Sequence, residues 1–208
     1  MPIPSFLSCR DPGIASVGPA ADKSGDLARH VRACRFTVGH VGGPVRTLVL
    51  LRHAKSAYPD GVADHERPLA PRGEREAGLA GDWLRKNVPA VDAVLCSTAT
   101  RARQTLAHTG IDAPVRYLER LYGATPAMVI DEINSVADDI GTLLVVGHEP
   151  TISELAIGLA GAEKSNIAAL ERLSVKFPTS ALAVLQASAS WKDLALGGAA
   201  LVDFHVPR

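Results

Sequence analysis

The chain has 208 residues, 47% of them hydrophobic and 21% charged, so it is long enough for one sizeable core and a single domain is expected. Its 22 basic and 22 acidic residues give a formal net charge of zero, which implies no general attraction to nucleic acid or to an anionic membrane. Three scattered cysteines exclude a disulfide framework, and no apolar run approaches the ~20 residues of a membrane span, so we expect a cytoplasmic protein.

Residues 1–44 differ in composition from the rest of the chain. They are rich in Gly, Pro, Ala and Arg, show no sustained helical or alternating period, and end in Gly42-Gly43-Pro44. Because such a segment buries little apolar surface, we expect an N-terminal extension that is disordered. Alternatively it is not translated, since Val45 directly precedes the first strand and a GTG codon can serve as a start. We therefore place one domain at residues 45–208.

From Arg46 onwards, short apolar segments alternate with segments of helical period. Strands are predicted at residues 48–51, 91–96, 115–118, 142–146, 180–186 and 199–205. Helices are predicted at residues 71–88, 100–109, 126–136, 150–160 and 162–174. Gly110 and Gly161 are typical helix ends, and Thr125-Pro126 is typical of a helix start. This alternation predicts an α/β fold, a three-layer α/β/α sandwich whose central sheet has about five to six mostly parallel strands and one antiparallel edge strand.

Basic and acidic side chains follow the first four predicted strands. Arg52 and His53 come directly after the first strand, Arg101 follows the second, Glu119 the third and His148 the fourth. In open, mostly parallel sheets, ligands bind at the carboxyl ends of the strands. The placement of these five residues therefore predicts a binding or catalytic site at that edge.

These residue types suit phosphoryl chemistry without a metal ion. The planar forks of Arg52 and Arg101 match phosphate oxygens and offset their charge. A neutral His53 could attack phosphorus and form a covalent phosphohistidine, and the neighbouring guanidinium groups should lower its pKa. His148 could stabilise the transferring phosphoryl group, and Glu119 could protonate the leaving group and later activate water. The cysteines and histidines show no metal-ligand spacing, so neither a metal nor a cofactor is expected.

Four segments resemble, in order, the signature segments of the histidine phosphatase superfamily, the phosphoglycerate mutase-like fold. Arg52-His53-Ala54 resembles its Arg-His-Gly signature. Residues 97–105 resemble its Ser-Pro-x-x-Arg-Ala-x-Gln-Thr segment, residues 145–150 its Gly-His-Asn-Pro segment, and residues 118–123 the Glu-Arg-x-Tyr-Gly stretch that carries the acid of the mutases. The resemblance covers residues 46–208 and implies the fold and the phosphatase chemistry together.

Carried over residue by residue, the resemblance makes His53 the phosphorylated nucleophile. It places Arg52, Arg101 and His148 in the phosphate pocket. It gives Glu119 the role of acid and base, although a solvated loop carboxylate is an equally good interpretation of that residue.

Within the superfamily, the chain most resembles the short bacterial SixA-like phosphohistidine phosphatases. The likeness rests on residues 51–56, residues 64–69 and Arg72-Gly73. Ala54 and Lys55 stand where the mutases carry a glycine and an acid, and the chain after Arg46 leaves no room for the insertions that cover a mutase's substrate. The resemblance therefore implies an open site that admits a phosphorylated side chain of another protein.

Other polar residues have a structural alternative beside a functional one. Lys55, Ser56 and Arg67 could bind phosphate or substrate, or could simply be solvated loop residues. Cys96 precedes Arg101 by a spacing one residue shorter than that of the cysteine phosphatases, so we expect a buried strand residue. Three histidines without convergent partners are expected to be structural or at the surface: His65, His108 and His205.

Three functions stay open on the sequence alone. The first is a phosphatase for phosphohistidine in proteins, the second a phosphatase for a small phosphorylated metabolite such as a nucleotide or sugar phosphate, and the third a non-catalytic phosphate-binding module. The first two are favoured because every proposed catalytic position is occupied. The expected partner is thus a phosphohistidine-bearing protein or a phosphorylated metabolite, with no nucleic acid and no membrane, and we expect a monomer.

Overall fold

The computed structural model describes residues 45–161 and 164–208. The predicted extension at residues 1–44 and the start of the last predicted helix, residues 162 and 163, lie outside the described residues. The strands are β1 (Arg46–Arg52), β2 (Ala93–Ser97), β3 (Val115–Leu118), β4 (Thr142–Gly147), β5 (Leu182–Ala187) and β6 (Ala199–His205). The helices are α1 (Pro71–Asn87), α2 (Thr100–Thr109), α3 (Pro126–Asn134), α4 (Thr151–Leu159) and α5 (Ile167–Val175). Short 3-10 helices lie at Asp64–Glu66, Glu119–Leu121 and Trp191–Asp193.

The strands form one six-stranded sheet in the order β3-β2-β4-β1-β5-β6. β1, β2, β3 and β4 pair in parallel, whereas β5 pairs antiparallel with both β1 and β6. The predicted fold class is therefore confirmed, with the antiparallel pairings confined to the β5–β6 side of the sheet. None of the helices in the described part of the chain combines the length and the apolar composition needed to cross a membrane.

Helices cover both faces of the sheet, which makes the predicted three layers. Leu48 and Leu50 of β1 point to the side of α3, α4 and α5, and Val49 and Leu51 point to the side of α1 and α2. All four side chains are fully buried. A central parallel strand is covered on both faces, which is why this segment is an unbroken apolar run rather than an alternating one.

Local sequence signals set several helix limits. α2 ends where Gly110 adopts a left-handed backbone conformation, with φ of 63°. α3 begins after Thr125, whose side chain accepts a hydrogen bond from the backbone N–H of Met128, and Pro126 occupies its first turn. These limits agree with the prediction because capping chemistry is local.

Two glycines bring α1 into backbone contact with its neighbours. A Cβ atom at Gly73 would collide with the carbonyl oxygen of Lys55, in the segment after β1. A Cβ atom at Gly81 would collide with the carbonyl oxygen of Thr109, at the end of α2. α1 is therefore packed against both the segment that follows the site strand and the helix that carries Arg101.

The amino ends of the strands are held together by side chains that bind backbone groups. The carboxylate of Asp92 accepts hydrogen bonds from the N–H groups of Gly141 and Thr142, at 3.0 and 2.8 Å. The buried guanidinium of Arg46 donates to the backbone oxygens of Ala189 and Asp138, at 3.2 and 3.1 Å. These contacts join the starts of β1, β2 and β4 to the end of β5.

Both tryptophans pack in or against the core, as predicted. Trp191 is fully buried and its indole N–H donates to the carbonyl oxygen of Ile140 at 2.7 Å. Trp83 is partly buried and stacks on His205, with ring centroids 4.6 Å apart. Cys96 is also fully buried, and burial raises the pKa of its thiol to about 12. A thiol held in this state is no nucleophile, which agrees with its predicted structural role.

Candidate active site

The sheet register brings the predicted site residues to one edge. Arg52 at the end of β1 pairs with Gly147 at the end of β4, so His53 and His148 occupy equivalent next positions. Their ring centroids lie 5.0 Å apart. Arg101, in the first turn of α2, places its Nε 3.4 Å from Nε2 of His53. The structure thus brings Arg52, His53, Arg101 and His148 together.

The tautomer of His53 follows from its hydrogen bonds. Its Nδ1 lies 2.8 Å from the carbonyl oxygen of Ala54, and a carbonyl oxygen can only accept. Nδ1 therefore carries the proton, and Nε2 presents a lone pair toward the Nε–H of Arg101. Burial, and after it the charges of Arg101 and Arg52, lower the pKa of His53 to about 4. The ring is consequently neutral at pH 7 and keeps a nucleophilic nitrogen.

His148 is also buried and neutral. Its Nε2 lies 2.8 Å from the hydroxyl oxygen of Ser97, at the end of β2. Its Nδ1 is buried and has no hydrogen-bond partner among the described residues. Burial, with the nearby His53 and Arg101, lowers the pKa of His148 to about 3. If Ser97 donates to Nε2, an unspent Nδ1–H is available for an oxyanion.

The two arginines are held differently. The guanidinium of Arg101 donates to the backbone oxygen of Asp64 at 2.6 Å and to the Asp64 carboxylate at 3.1 Å, in addition to its contact with His53. Arg52 donates to the carbonyl oxygen of Phe177, and its buried Nε has no partner in the described part of the chain. Burial is the main cause that lowers the pKa of Arg52. Two guanidinium groups beside two neutral imidazoles form a pocket of positive charge suited to a tetrahedral oxyanion.

Glu119 lies at the rim of this edge. It follows β3 directly, its side chain is 74% exposed, and its carboxylate accepts a hydrogen bond of 2.5 Å from the hydroxyl of Thr98. Its described polar contacts are with Thr98 and His65 rather than with the four buried residues. The carboxylate is thus close to the site but solvated.

The three loop residues predicted as substrate-binding fall into two groups. Arg67 donates to the buried hydroxyl of Ser56 at 2.9 Å and lies 3.3 Å from the Asp64 carboxylate. Its charge contributes to the lowered pKa of His53, so it faces the site. Lys55 is exposed, and its Nζ lies 5.2 Å from the ring centroid of Tyr58.

Three residues at the site were not identified from the sequence. The Asp64 carboxylate binds Arg101 and accepts a hydrogen bond of 2.6 Å from the hydroxyl of Tyr122. The ring of Tyr122 stands edge-on to His148 at 5.4 Å and to His65 at 5.0 Å. His65 was expected to be structural or at the surface without convergent partners, and this was wrong, because its ring contacts Thr98 and Tyr122 at the rim.

A sequence signal for these residues existed. Segment 64–69 is one of those that carry the resemblance, but only Arg67 was taken from it. His108 is exposed and His205 stacks on Trp83, as expected for surface and structural histidines. Across residues 45–161 and 164–208, His, Cys, Asp and Glu side chains form no group of three that could hold a metal ion.

Comparison with known proteins identifies relatives of the whole described domain. Residues 48–123 match the family model of the histidine phosphatase superfamily, branch 1. An uncharacterized protein of Mycobacterium tuberculosis is 72% identical over 158 residues, which cover 76% of this chain and all of that protein.

Two of the relatives carry a functional name. A solved structure from Nakamurella multipartitia, proposed to be a phosphohistidine phosphatase SixA, is 44% identical with a TM-score of 0.74, over 80% of this chain and 98% of that one. The phosphohistidine phosphatase SixA of Escherichia coli is 28% identical over 123 residues, which cover 56% of this chain and 75% of that protein.

Proposed function

The chain belongs to branch 1 of the histidine phosphatase superfamily, and from this premise we propose that it is a metal-independent phosphatase acting on phosphohistidine in proteins. The observation that carries the proposal is the state of His53. This ring is buried, neutral and protonated on Nδ1, and its Nε2 lone pair lies 3.4 Å from Nε of Arg101. A phosphoryl group held by Arg101 would therefore meet a nitrogen that is free to attack it.

In the first half-reaction, Arg52 and Arg101 bind the phosphoryl oxygens and His148 donates a hydrogen bond to one of them. Nε2 of His53 forms a bond to phosphorus while the bond from phosphorus to the leaving nitrogen or oxygen breaks. The leaving group takes a proton, which Glu119 supplies where the leaving atom requires one. The products are a phosphorylated His53 and the dephosphorylated substrate.

In the second half-reaction, a water molecule attacks phosphorus. Glu119 takes a proton from this water as the new oxygen–phosphorus bond forms. The bond between phosphorus and Nε2 of His53 breaks, which releases inorganic phosphate and restores the neutral imidazole. The guanidinium groups of Arg52 and Arg101 stabilise the charge that develops in both half-reactions.

The rim favours a protein substrate. The side chains of Glu119 and Asp64 are 74% and 55% exposed, so the described rim leaves this part of the edge open to solvent. A phosphorylated imidazole on another protein needs such access. It also demands little of an acid, since a phosphoramidate leaving group departs more readily than an alkoxide. The relatives named SixA are similar to this chain in sequence and fold.

A small phosphorylated metabolite is the second candidate substrate. It is favoured by the position of Glu119, which follows β3 and is held by Thr98 at the rim of the site. A carboxylic acid at this position would be of little use for a phosphoramidate but would assist the departure of an alkoxide. The two candidates therefore differ in how strongly turnover depends on Glu119.

A side-by-side turnover assay tests the proposal. Purified protein is incubated with a phosphohistidine-bearing protein and with a panel of nucleotide and sugar phosphates, each with and without EDTA. We expect phosphate release from the phosphohistidine protein to be faster than from the panel and to be unchanged by EDTA. Faster release from a metabolite would select the second candidate, and loss of activity with EDTA would contradict the metal-independent mechanism.

A further inference from the structure

A chain of polar groups links His65 to Glu119 at the rim of the site. Nε2 of His65 lies 3.1 Å from the hydroxyl oxygen of Thr98, and this oxygen lies 2.5 Å from the carboxylate of Glu119. On its other side, Nδ1 of His65 lies 2.9 Å from the carboxylate of Glu66. Three separate segments of the chain supply these groups, namely the two 3-10 helices at Asp64–Glu66 and Glu119–Leu121 and the residue after β2.

The hydroxyl of Thr98 has one proton, so this chain can be satisfied in two ways. In the first, Thr98 donates to the Glu119 carboxylate and Nε2–H of His65 donates to Thr98. Nδ1 then also needs a proton to bind the Glu66 carboxylate, and the ring is an imidazolium. In the second, Glu119 carries a proton and donates to Thr98, Thr98 donates to Nε2, and the neutral ring keeps its Nδ1–H toward Glu66. The two arrangements differ by the transfer of one proton from His65 to Glu119.

The cluster contributes little to folding. The side chains of His65 and Glu119 are 29% and 74% exposed, and their 3.7 Å ion pair is a surface pair of the kind that adds little stability. The cluster does, however, reach the buried pocket. The ring of Tyr122 stands edge-on to His65 at 5.0 Å and to His148 at 5.4 Å. A surface cluster of this kind, built on three segments beside a phosphate pocket, is better explained by the chemistry of the site.

We propose that His65 and Thr98 are positioning residues that orient Glu119 and supply it with the proton that it gives to the leaving group. The inference rests on the proposed function and adds to it. As the leaving oxygen separates from phosphorus, it takes the proton of Glu119. Glu119 takes the proton of Thr98, and Thr98 takes the Nε2 proton of His65, which becomes neutral. When Glu119 later accepts a proton from the attacking water, the transfers run in reverse and the imidazolium is restored.

A comparison of leaving groups tests this inference with kcat/KM. The substrates are p-nitrophenyl phosphate, whose nitrophenolate departs without a proton, and glycerol phosphate, whose alkoxide requires one. We expect Thr98→Val and His65→Ala to lower kcat/KM for glycerol phosphate by about 10-fold or more and to leave p-nitrophenyl phosphate within about 3-fold, because general acid catalysis contributes only where the leaving group is poor. A purely structural role would lower both rates equally.

Conservative and remote variants serve as controls. Thr98→Ser keeps the hydroxyl and should retain at least about half of the glycerol phosphate activity, whereas His108→Ala removes an exposed histidine of α2 and should change neither rate. Equal losses for the two substrates, or a Thr98→Ser variant as impaired as Thr98→Val, would overturn the inference. So would a wild-type protein that hydrolyses p-nitrophenyl phosphate but not glycerol phosphate. A wild-type protein that hydrolyses no phosphorylated compound would contradict the proposed function itself.

Discussion

The two ends of the sheet use buried polar side chains in opposite ways. At the amino ends of the strands, Asp92 and Arg46 bind backbone groups of neighbouring segments. At the carboxyl ends, the side chains of β1, α2 and the β4 terminus face one another. Among the described residues, the carboxyl end has more buried polar atoms without a partner, on Arg52, Arg67, His148, Glu149 and Ser180, whereas the amino end has one, on Arg46.

This difference separates groups that hold the fold from groups that await a ligand. A buried polar atom that lacks a partner costs free energy, and a protein tolerates several of them together only where another molecule can satisfy them. Substitutions at the amino end should therefore change stability and leave turnover intact. Substitutions at the carboxyl end should do the reverse.

The largest effect is expected at His53. We expect His53→Ala to lower kcat by at least about 1,000-fold, because the variant lacks the nitrogen that receives the phosphoryl group. It should also lose the acid-labile label that radioactive substrate leaves on the wild-type protein. The melting temperature is measured beside it and should change little. Undiminished labelling of the variant would move the nucleophile to His148.

Arg101 should give the next largest effect. Lysine keeps the charge but loses the fork that contacts both His53 and Asp64, so we expect Arg101→Lys to lower kcat/KM by about 100-fold. Arg103→Lys is the matched control, since Arg103 is exposed on the same helix and lies over the ring of Tyr117. A control as impaired as Arg101→Lys would mean that α2 itself had been disturbed.

Asp92 tests the opposite end of the sheet. Asp92→Ala removes the acceptor of two backbone N–H groups, and we expect a loss of about 1–3 kcal/mol in the free energy of unfolding with turnover unchanged. Denaturant unfolding measures the first quantity and the phosphatase assay the second. The exposed Asp112→Ala should change the free energy of unfolding by less than about 0.5 kcal/mol. A fall in the turnover of Asp92→Ala at a temperature where it remains folded would end the distinction between the two sheet ends.

The smallest effect is a dependence of stability on pH. Folding lowers the pKa of His53 from 6.5 to about 4 and that of His148 from 6.5 to about 3, so the unfolded chain binds more protons than the folded one between these values. Stability should therefore fall as pH is lowered from about 6.5 toward 4, by an amount on the order of 1 kcal/mol for each ring. His148→Gln should remove part of this fall in a series of melting curves. Identical pH profiles for the variant and the wild type would show that the buried ring does not carry the effect.

The fold was largely predictable because its signals are local. Gly110 ends α2 at the predicted residue, and the Thr125-Pro126 start of α3 depends only on the capping chemistry of its own turn. The ends of α3 and α4 lie inside the predicted limits. Those limits depend on how the last turns pack, which no local signal reports.

The site was predictable only where strands position it. His53 and His148 follow directly from strands whose ends the register aligns, so a one-dimensional pattern predicts that they meet. Asp64, His65 and Tyr122 lie on short 3-10 helices or just after one, without periodicity. Their approach to the site depends on the path of the whole segment between β1 and α1, and such a path is set by tertiary contacts.

The two glycines of α1 have a consequence for how much sequence change the domain can accept. Because Gly73 and Gly81 leave no space for a Cβ atom against the backbone of Lys55 and Thr109, even alanine at either position would force a helix away from its neighbour. Gly61, which faces open space, has no such neighbour. In a library that samples every substitution, variants at Gly73 and Gly81 should disappear under selection for folded protein, although neither residue touches phosphate. Depletion at these positions would thus report the spacing of the scaffold rather than its chemistry.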